Sequence, residues 1–271
     1  MIGMAVGPLG QQGSTPPGWD ITTASYVSTK DVSAQDVNPV SAVFSPDGTK
    51  MFVVGGSNDS VYRYDLGTAW DITTASYVST KDVSAQDVNP GGVAFSPDGT
   101  KMFVVGRGSR SVYRYDLGTA WDITTASYVS TKDVSAQDGN PYGVAFSPDG
   151  TKMFFIGTAN DSVYRYNLGT AWDIATASYV STKDVSAQDG FPPGLAFSSD
   201  GTKMFVVGAT NASVYRYNLG TAWDIATASY VSTKDVSAQD GFPLGLAFSG
   251  DGTQMFVVGF DNDSVYRYDL T

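Results

Sequence analysis

Residues 70–120 read WDITTASYVSTKDVSAQDVNPGGVAFSPDGTKMFVVGRGSRSVYRYDLGTA, and this stretch of 51 residues recurs along almost the whole chain. Trp19, Trp70, Trp121, Trp172 and Trp223 open five copies of it, which follow one another to Thr271 without insertion or deletion. A strict period of this length, built from short apolar runs and turn residues, points to a propeller, because solenoid units are shorter or helical.

Within the copy, four runs carry strand patterning. The first, PGGVAFS at 90–96, is apolar and ends at Pro97-Asp98-Gly99, whose Asp-Gly pair supplies a tight reversal into KMFVVG at 101–106. Four residues then lead to SVYRYDL at 111–117, where Tyr113, Tyr115 and Leu117 alternate with Val112, Arg114 and Asp116. A turn through Gly118 and Trp121 enters ASYVSTKDVS at 126–135. We label these strands A to D. Each unit is thus a four-stranded antiparallel sheet that must bury its faces against neighbouring units.

The run P-x-G-V-A-F-S-P-D-G-T-K-M-F-V-V-G followed by S-V-Y-R-Y-D-L resembles the blade signature of YVTN-type and NHL-type β-propellers, and more distantly that of WD-repeat proteins. The resemblance covers all five copies. It implies an all-β, five-bladed propeller with strand A lining the channel and strand D outermost. Tyr64-Asp65 falls where WD-repeat proteins carry their Trp-Asp pair, whereas the literal Trp70-Asp71 lies in a connection. Blades this alike, without Cys or His, also resemble propeller domains of bacteria and their phages that serve as adhesins or tail-fibre parts. That likeness implies an extracellular or virion-associated setting within a longer protein.

The repeats begin with a D strand, Ala24 to Ser33, and end with a C strand, Ser264 to Leu270. Ring closure therefore requires the first strand to pair with the last, which leaves no incomplete sheet exposed. The rival is a swapped assembly between chains, and a monomeric ring is expected. Residues 1–18, MIGMAVGPLGQQGSTPPG, match no copy. They lack the basic start of a secretory signal and read as a Gly/Pro-rich linker or remnant, with residues 19–271 as one propeller. No run is long enough to insert into a membrane.

Composition narrows the function. There are 27 acidic residues, all Asp, against 16 Lys+Arg, giving a formal net charge of -11. No basic footprint for nucleic acid exists. The absence of Cys and His removes thiolate chemistry, disulfides and the commonest general base and metal ligand. No catalytic residue, metal ligand or cofactor site is assigned. Asp261-Asn262-Asp263 offers oxygens to a calcium ion but lacks the glycine and distal carboxylate of a calcium loop.

Setting Thr271 aside, the copies differ at sixteen of the 51 positions, and ten of these lie in the D-to-A connection with the start of strand A and in the B-to-C loop. Alternating strand directions put both on one face of the disc. The candidate ligand-binding residues there are Asn38, Asn89, Asn140, Tyr142, Phe191 and Phe242 in the first stretch, and Asn58, Asp59, Arg107, Arg110, Asn160, Asp161, Asn211, Phe260, Asp261 and Asp263 in the second. Aromatic rings beside amides and carboxylates stack on and hydrogen-bond a sugar or a peptide. Unconstrained drift of exposed loops after duplication is the competing reading.

The five Trp residues suit packing between blades better than sugar platforms. The Asp of each Asp-Gly hairpin is a turn former. Arg63, Arg114, Arg165, Arg216 and Arg267 are expected to pair with Asp across the sheet or to stack on rings. Some five-bladed propellers are glycosidases, yet those need unlike carboxylates around the channel, and strand A here carries no acid. The expectation is a non-catalytic, multivalent binding module for carbohydrate on a cell or particle surface, several weak sites gaining avidity together. A protein-interaction scaffold is the alternative, and a glycoside hydrolase a third.

Overall fold

The computed structural model describes residues 18–271; apart from Gly18, the expected N-terminal linker lies outside the described residues. The chain forms twenty strands in five sheets of four. β1 (Ser25–Asp31) is followed by the first full blade, β2 (Pro39–Phe44), β3 (Lys50–Gly55), β4 (Ser60–Leu66) and β5 (Ala75–Asp82). The second blade holds β6 (Pro90–Phe95), β7 (Lys101–Gly106), β8 (Ser111–Leu117) and β9 (Ala126–Asp133). The third holds β10 (Pro141–Phe146), β11 (Lys152–Gly157), β12 (Ser162–Leu168) and β13 (Ala177–Asp184), and the fourth β14 (Gly194–Phe197), β15 (Lys203–Gly208), β16 (Ser213–Leu219) and β17 (Ala228–Asp235). Strand β14 starts late because Pro192-Pro193 lacks the amides a ladder needs.

The fifth blade, β18 (Pro243–Phe248), β19 (Gln254–Gly259) and β20 (Ser264–Asp269), takes β1 as its outer strand. Ser25 pairs with Asp269 and Asp31 with Ser264, antiparallel. The ring is closed by its N-terminal strand, as the strand order requires.

Adjacent blades meet through apolar layers. Between blades one and two, Phe52, Val54 and Val61 pack against Met102, Val104 and Tyr113. Each Trp belongs to such a layer: the Trp121 ring lies 5.4 Å from Phe95 of its own blade and 5.9 Å from Phe52 of the preceding one. Trp19 fills the same place in the fifth layer, against Phe248 and Phe205. Under the indoles sit the hairpin glycines. Gly48 has φ +69°, and a Cβ there would fall 2.3 Å from the Trp70 ring, so only glycine serves both the turn and the packing.

Two local features differ from the sequence reading. A single 3-10 turn, Ile72–Thr74 in blade one, precedes each D strand, capped by the Asp71 carboxylate accepting the Thr73 amide. The strand arginines do not pair across the sheet. Arg63 binds Asp65, two residues along its own strand, through both carboxylate oxygens at 2.9 and 3.0 Å, because i and i+2 share a face. Where Asn167 replaces the Asp, Arg165 turns to Asp224 at 3.2 Å.

At the hub the innermost strands approach backbone to backbone. A Cβ on Gly194 would lie 2.8 Å from the Leu244 carbonyl, and one on Gly245 2.9 Å from the Ser41 Cα. On the A-to-B hairpin side the channel opens into a cavity of about 300 Å³ lined by Val, Ala, Leu, Phe, Pro and Ser side chains with Trp121 and Trp223. None of these lining residues is titratable.

Candidate functional site

The variable face is built on one buried carboxylate per blade. Asp36, 2% exposed, accepts the amides of Asn38, Ser57 and Asn58 and the Tyr62 hydroxyl. Asp138, Asp189 and Asp240 repeat this arrangement, and Asp87 repeats its three amide bonds without the tyrosine hydroxyl. Each ties the D-to-A connection to the B-to-C loop of the same blade, so loop side chains can change while the loop backbone stays fixed.

A second clamp joins the two variable stretches. The amide of Gly56 donates to the Asn38 carbonyl, Arg107 to Asn89, Thr158 to Asn140, Ala209 to Phe191 and Phe260 to Phe242. Every blade therefore sets two variable positions side by side in one fixed frame, and the five pairs differ.

The structure divides the candidate residues. Several are committed to the loops themselves. The side-chain amides of Asn58, Asn160 and Asn211 donate to the carbonyls of Gln35, Gln137 and Gln188, and that of Asn140 to Thr158 Oγ1 at 2.7 Å. Asp59, Arg110, Asp161 and Asp263 adopt left-handed φ of +50°, +57°, +46° and +48°. Their carbonyls accept the amides of Val83, Val134, Val185 and Val32 at the ends of the D strands. Burial, followed by surrounding aspartates, holds the Asp59, Asp161 and Asp263 carboxyls above the usual range. The Asn38 and Asn89 amides bind Asp36 and Asp87, while Asp261 is exposed.

Others come together. Arg107 lies over the Tyr142 ring, its Cζ 3.9 Å from the centroid. Tyr142 meets Phe191 edge-on at 5.5 Å, Phe191 meets Phe242 at 5.7 Å, and Phe242 meets Phe260 edge-on at 5.9 Å. The result is one continuous arc crossing blades two to five, with Phe242 36% and Phe260 40% exposed at its far end and Phe191 half-buried. Tyr142 is only 4% exposed, so the tyrosine supports Arg107 and, contrary to expectation, is not itself open to a ligand. Blade one, with Asn38, Val40 and Gly56, contributes no ring. The sites are thus unequal, and the fivefold equivalence assumed for multivalent binding does not extend to this face.

Exposure alone does not account for where the copies differ. The outer strands are also exposed: Tyr26, Tyr77, Tyr128, Tyr179 and Tyr230 are each 47–49% accessible, more than any of the three Phe of the arc, yet all five copies are identical there. A bulge opposite Arg114 and Tyr115 turns Tyr128 and Val129 both outward. Ten of the sixteen variable positions gather on one face, although the outer strands are no better covered.

The buried aspartates were not among the candidate residues. Their signal in the sequence is the invariant Asp immediately before each variable stretch.

No family model matches the chain. Among curated proteins it is 26% identical over 188 residues to Protein HIR1 of Yarrowia lipolytica, a match that takes in 63% of this chain and 16% of that protein. The β-propeller domain of Cps50 (Swd1) from Myceliophteria thermophila superposes with a TM-score of 0.54 at 9% identity, covering 92% of this chain and all of that domain. A proposed 6-phosphogluconolactonase from Bacteroides uniformis superposes with a TM-score of 0.54 at 13% identity, covering 84% of this chain and 65% of its own. At these identities the likeness is one of fold.

Proposed function

We propose that this propeller is a non-catalytic binding module that recognises carbohydrate on a cell or particle surface through the face carrying the D-to-A and B-to-C loops. The observation that carries the reading is the arc Tyr142–Phe191–Phe242–Phe260, four rings in unbroken contact. Sugar rings offer apolar C–H faces that stack on the accessible rings Phe191, Phe242 and Phe260, and a linked row suits an oligosaccharide better than a single sugar. That the face varies while an equally exposed rim does not favours selection on the loops over drift. The blade pattern's likeness to YVTN-type and NHL-type repeats, and to bacterial and phage adhesin propellers, accords with a lectin-like role.

An unequal arc alters the expected stoichiometry: one extended ligand per ring rather than five equivalent sites. Titration of the intact chain with hits from a glycan array should give a ratio near one, and Phe242→Ala with Phe260→Ala should weaken binding at least tenfold with no change in fold. Five equivalent sites, or binding indifferent to both substitutions, would refute the reading. Turnover of chromogenic glycosides that depends on Asp59 or Asp263 would make the protein a glycoside hydrolase instead.

A further inference from the structure

Among the described residues, the ion pairs of the five strand arginines, Arg63, Arg114, Arg165, Arg216 and Arg267, satisfy their guanidinium charge. Arg107 stands apart. It is half-buried and no carboxylate among the described residues lies within ion-pair distance of it, whereas Arg110, also without an ion pair, is exposed to solvent. Its buried Nε lacks a hydrogen-bond partner, as do those of Arg165 and Arg216, but those two guanidinium groups reach a carboxylate through Nη1. The nearest hub acid, Asp87, is engaged by the amides of Asn89, Gly108 and Ser109. A part-desolvated guanidinium with unused donors is costly in an unliganded protein and becomes favourable when an anion completes it.

The site is also built for this side chain. A Cβ on Gly91 would lie 2.8 Å from the Tyr142 carbonyl and 3.1 Å from Arg107 Cγ and Cδ, so the glycine leaves room both for the neighbouring strand and for the arginine stem. The other copies carry Val40, Tyr142, Pro193 and Leu244 at that place, and none carries arginine at the position of Arg107. The ring beneath the guanidinium, Tyr142, comes from the next blade. Three copy-specific residues from two blades fit one another, a coincidence that independent drift does not produce.

We infer that Arg107, laid on Tyr142 over Gly91, is a carboxylate-binding subsite at one end of the aromatic arc, so that the oligosaccharide held there ends in an acidic sugar, a pyranose bearing a carboxylate. This rests on the reading of the face as a carbohydrate site. A planar guanidinium held flat on a ring still presents its edge, the geometry that binds a carboxylate through two parallel hydrogen bonds. The opposite end of the arc is acidic, with Asp261 and Asp263 following Phe260 in sequence. A polyanion would be repelled there, which restricts the charge to one terminus and leaves neutral sugars over Phe191, Phe242 and Phe260.

The test is a panel of matched oligosaccharides, identical except that the terminal sugar is glucuronate, galacturonate or sialate in one set and its neutral counterpart in the other, titrated against the intact chain. At least one acidic member should bind ten times more tightly than its neutral partner, and added salt should narrow the gap. Arg107→Thr, which places there the residue that blade three carries in the same slot, should abolish the preference, so that the acidic and neutral members of each pair bind with equal affinity. Equal affinities within every pair, or a preference that survives Arg107→Thr, would overturn the subsite and leave the carbohydrate face standing. Binding of an aspartate-rich peptide with no sugar bound would overturn both.

Discussion

One carboxylate per blade decides whether the variable loops can vary at all. Asp36 and its equivalents hold backbone amides from two connections, so Asp36→Ala leaves buried donors unpaired and should cost about 1–3 kcal/mol, read as a lower denaturation midpoint in urea. The hairpin aspartates act differently. The Ser45 hydroxyl, followed by the Thr49 amide, holds Asp47 down at about 2, and Ser147 and Thr151 do the same for Asp149. A carboxyl whose folded pKa is depressed adds stability above the unfolded value of 3.8 and loses it as pH falls towards about 2. Asp59, Asp161 and Asp263 have the opposite sign, since their raised pKa favours the fold as they protonate. Thermal melts should show the chain losing stability between pH 3.8 and 2, less steeply in Asp47→Asn. The hairpin role of Asp47 was legible because an Asp-Gly turn is local chemistry. The role of Asp36 was not, because its loop partners lie 21 to 26 residues away and nothing in S-A-Q-D marks one acid as buried.

At the level of strands, the period and turn residues gave the sheets almost to the residue: KMFVVG and SVYRYDL are strands with the expected bounds. Strand D ends earlier than its pattern suggests, at Asp133, because Val134 leaves the ladder to donate to the Arg110 carbonyl in the B-to-C loop. The arginine partners were misplaced because alternation says which residues share a face, not which carboxylate on that face is nearest. The closeness of the inner strands was hidden too, since it depends on how many blades share the hub. Five make it narrow enough that Gly194 and Gly245 face neighbouring backbone within 3 Å. Gly245→Ala should therefore destabilise by about 1–3 kcal/mol through overpacking, measured by urea denaturation, whereas the open position Gly190 should accept Ala with little loss.

For the ring as a whole, closure is carried by β1, Ile21 and Trp19, which complete the last sheet and the fifth aromatic layer. Deleting residues 19–33 should lower the melting temperature by many degrees, and an unchanged melt would refute closure by this strand. The face, by contrast, was legible only as a set of differing residues. Their union into one arc needed the distances between blades, which a repeat sequence does not contain. The same ring permits a direct trial of the arc: give every blade the loop residues of blade one, Val37 to Asn38 and Gly56 to Asp59, which removes Arg107, Phe191, Phe242 and Phe260, and compare glycan binding with that of the natural chain. The redrawn ring should fold and melt like the parent, because the hub aspartates and strands are untouched, yet lose its ligand. Retained binding in that exchanged protein would contradict the assignment of recognition to the variable face.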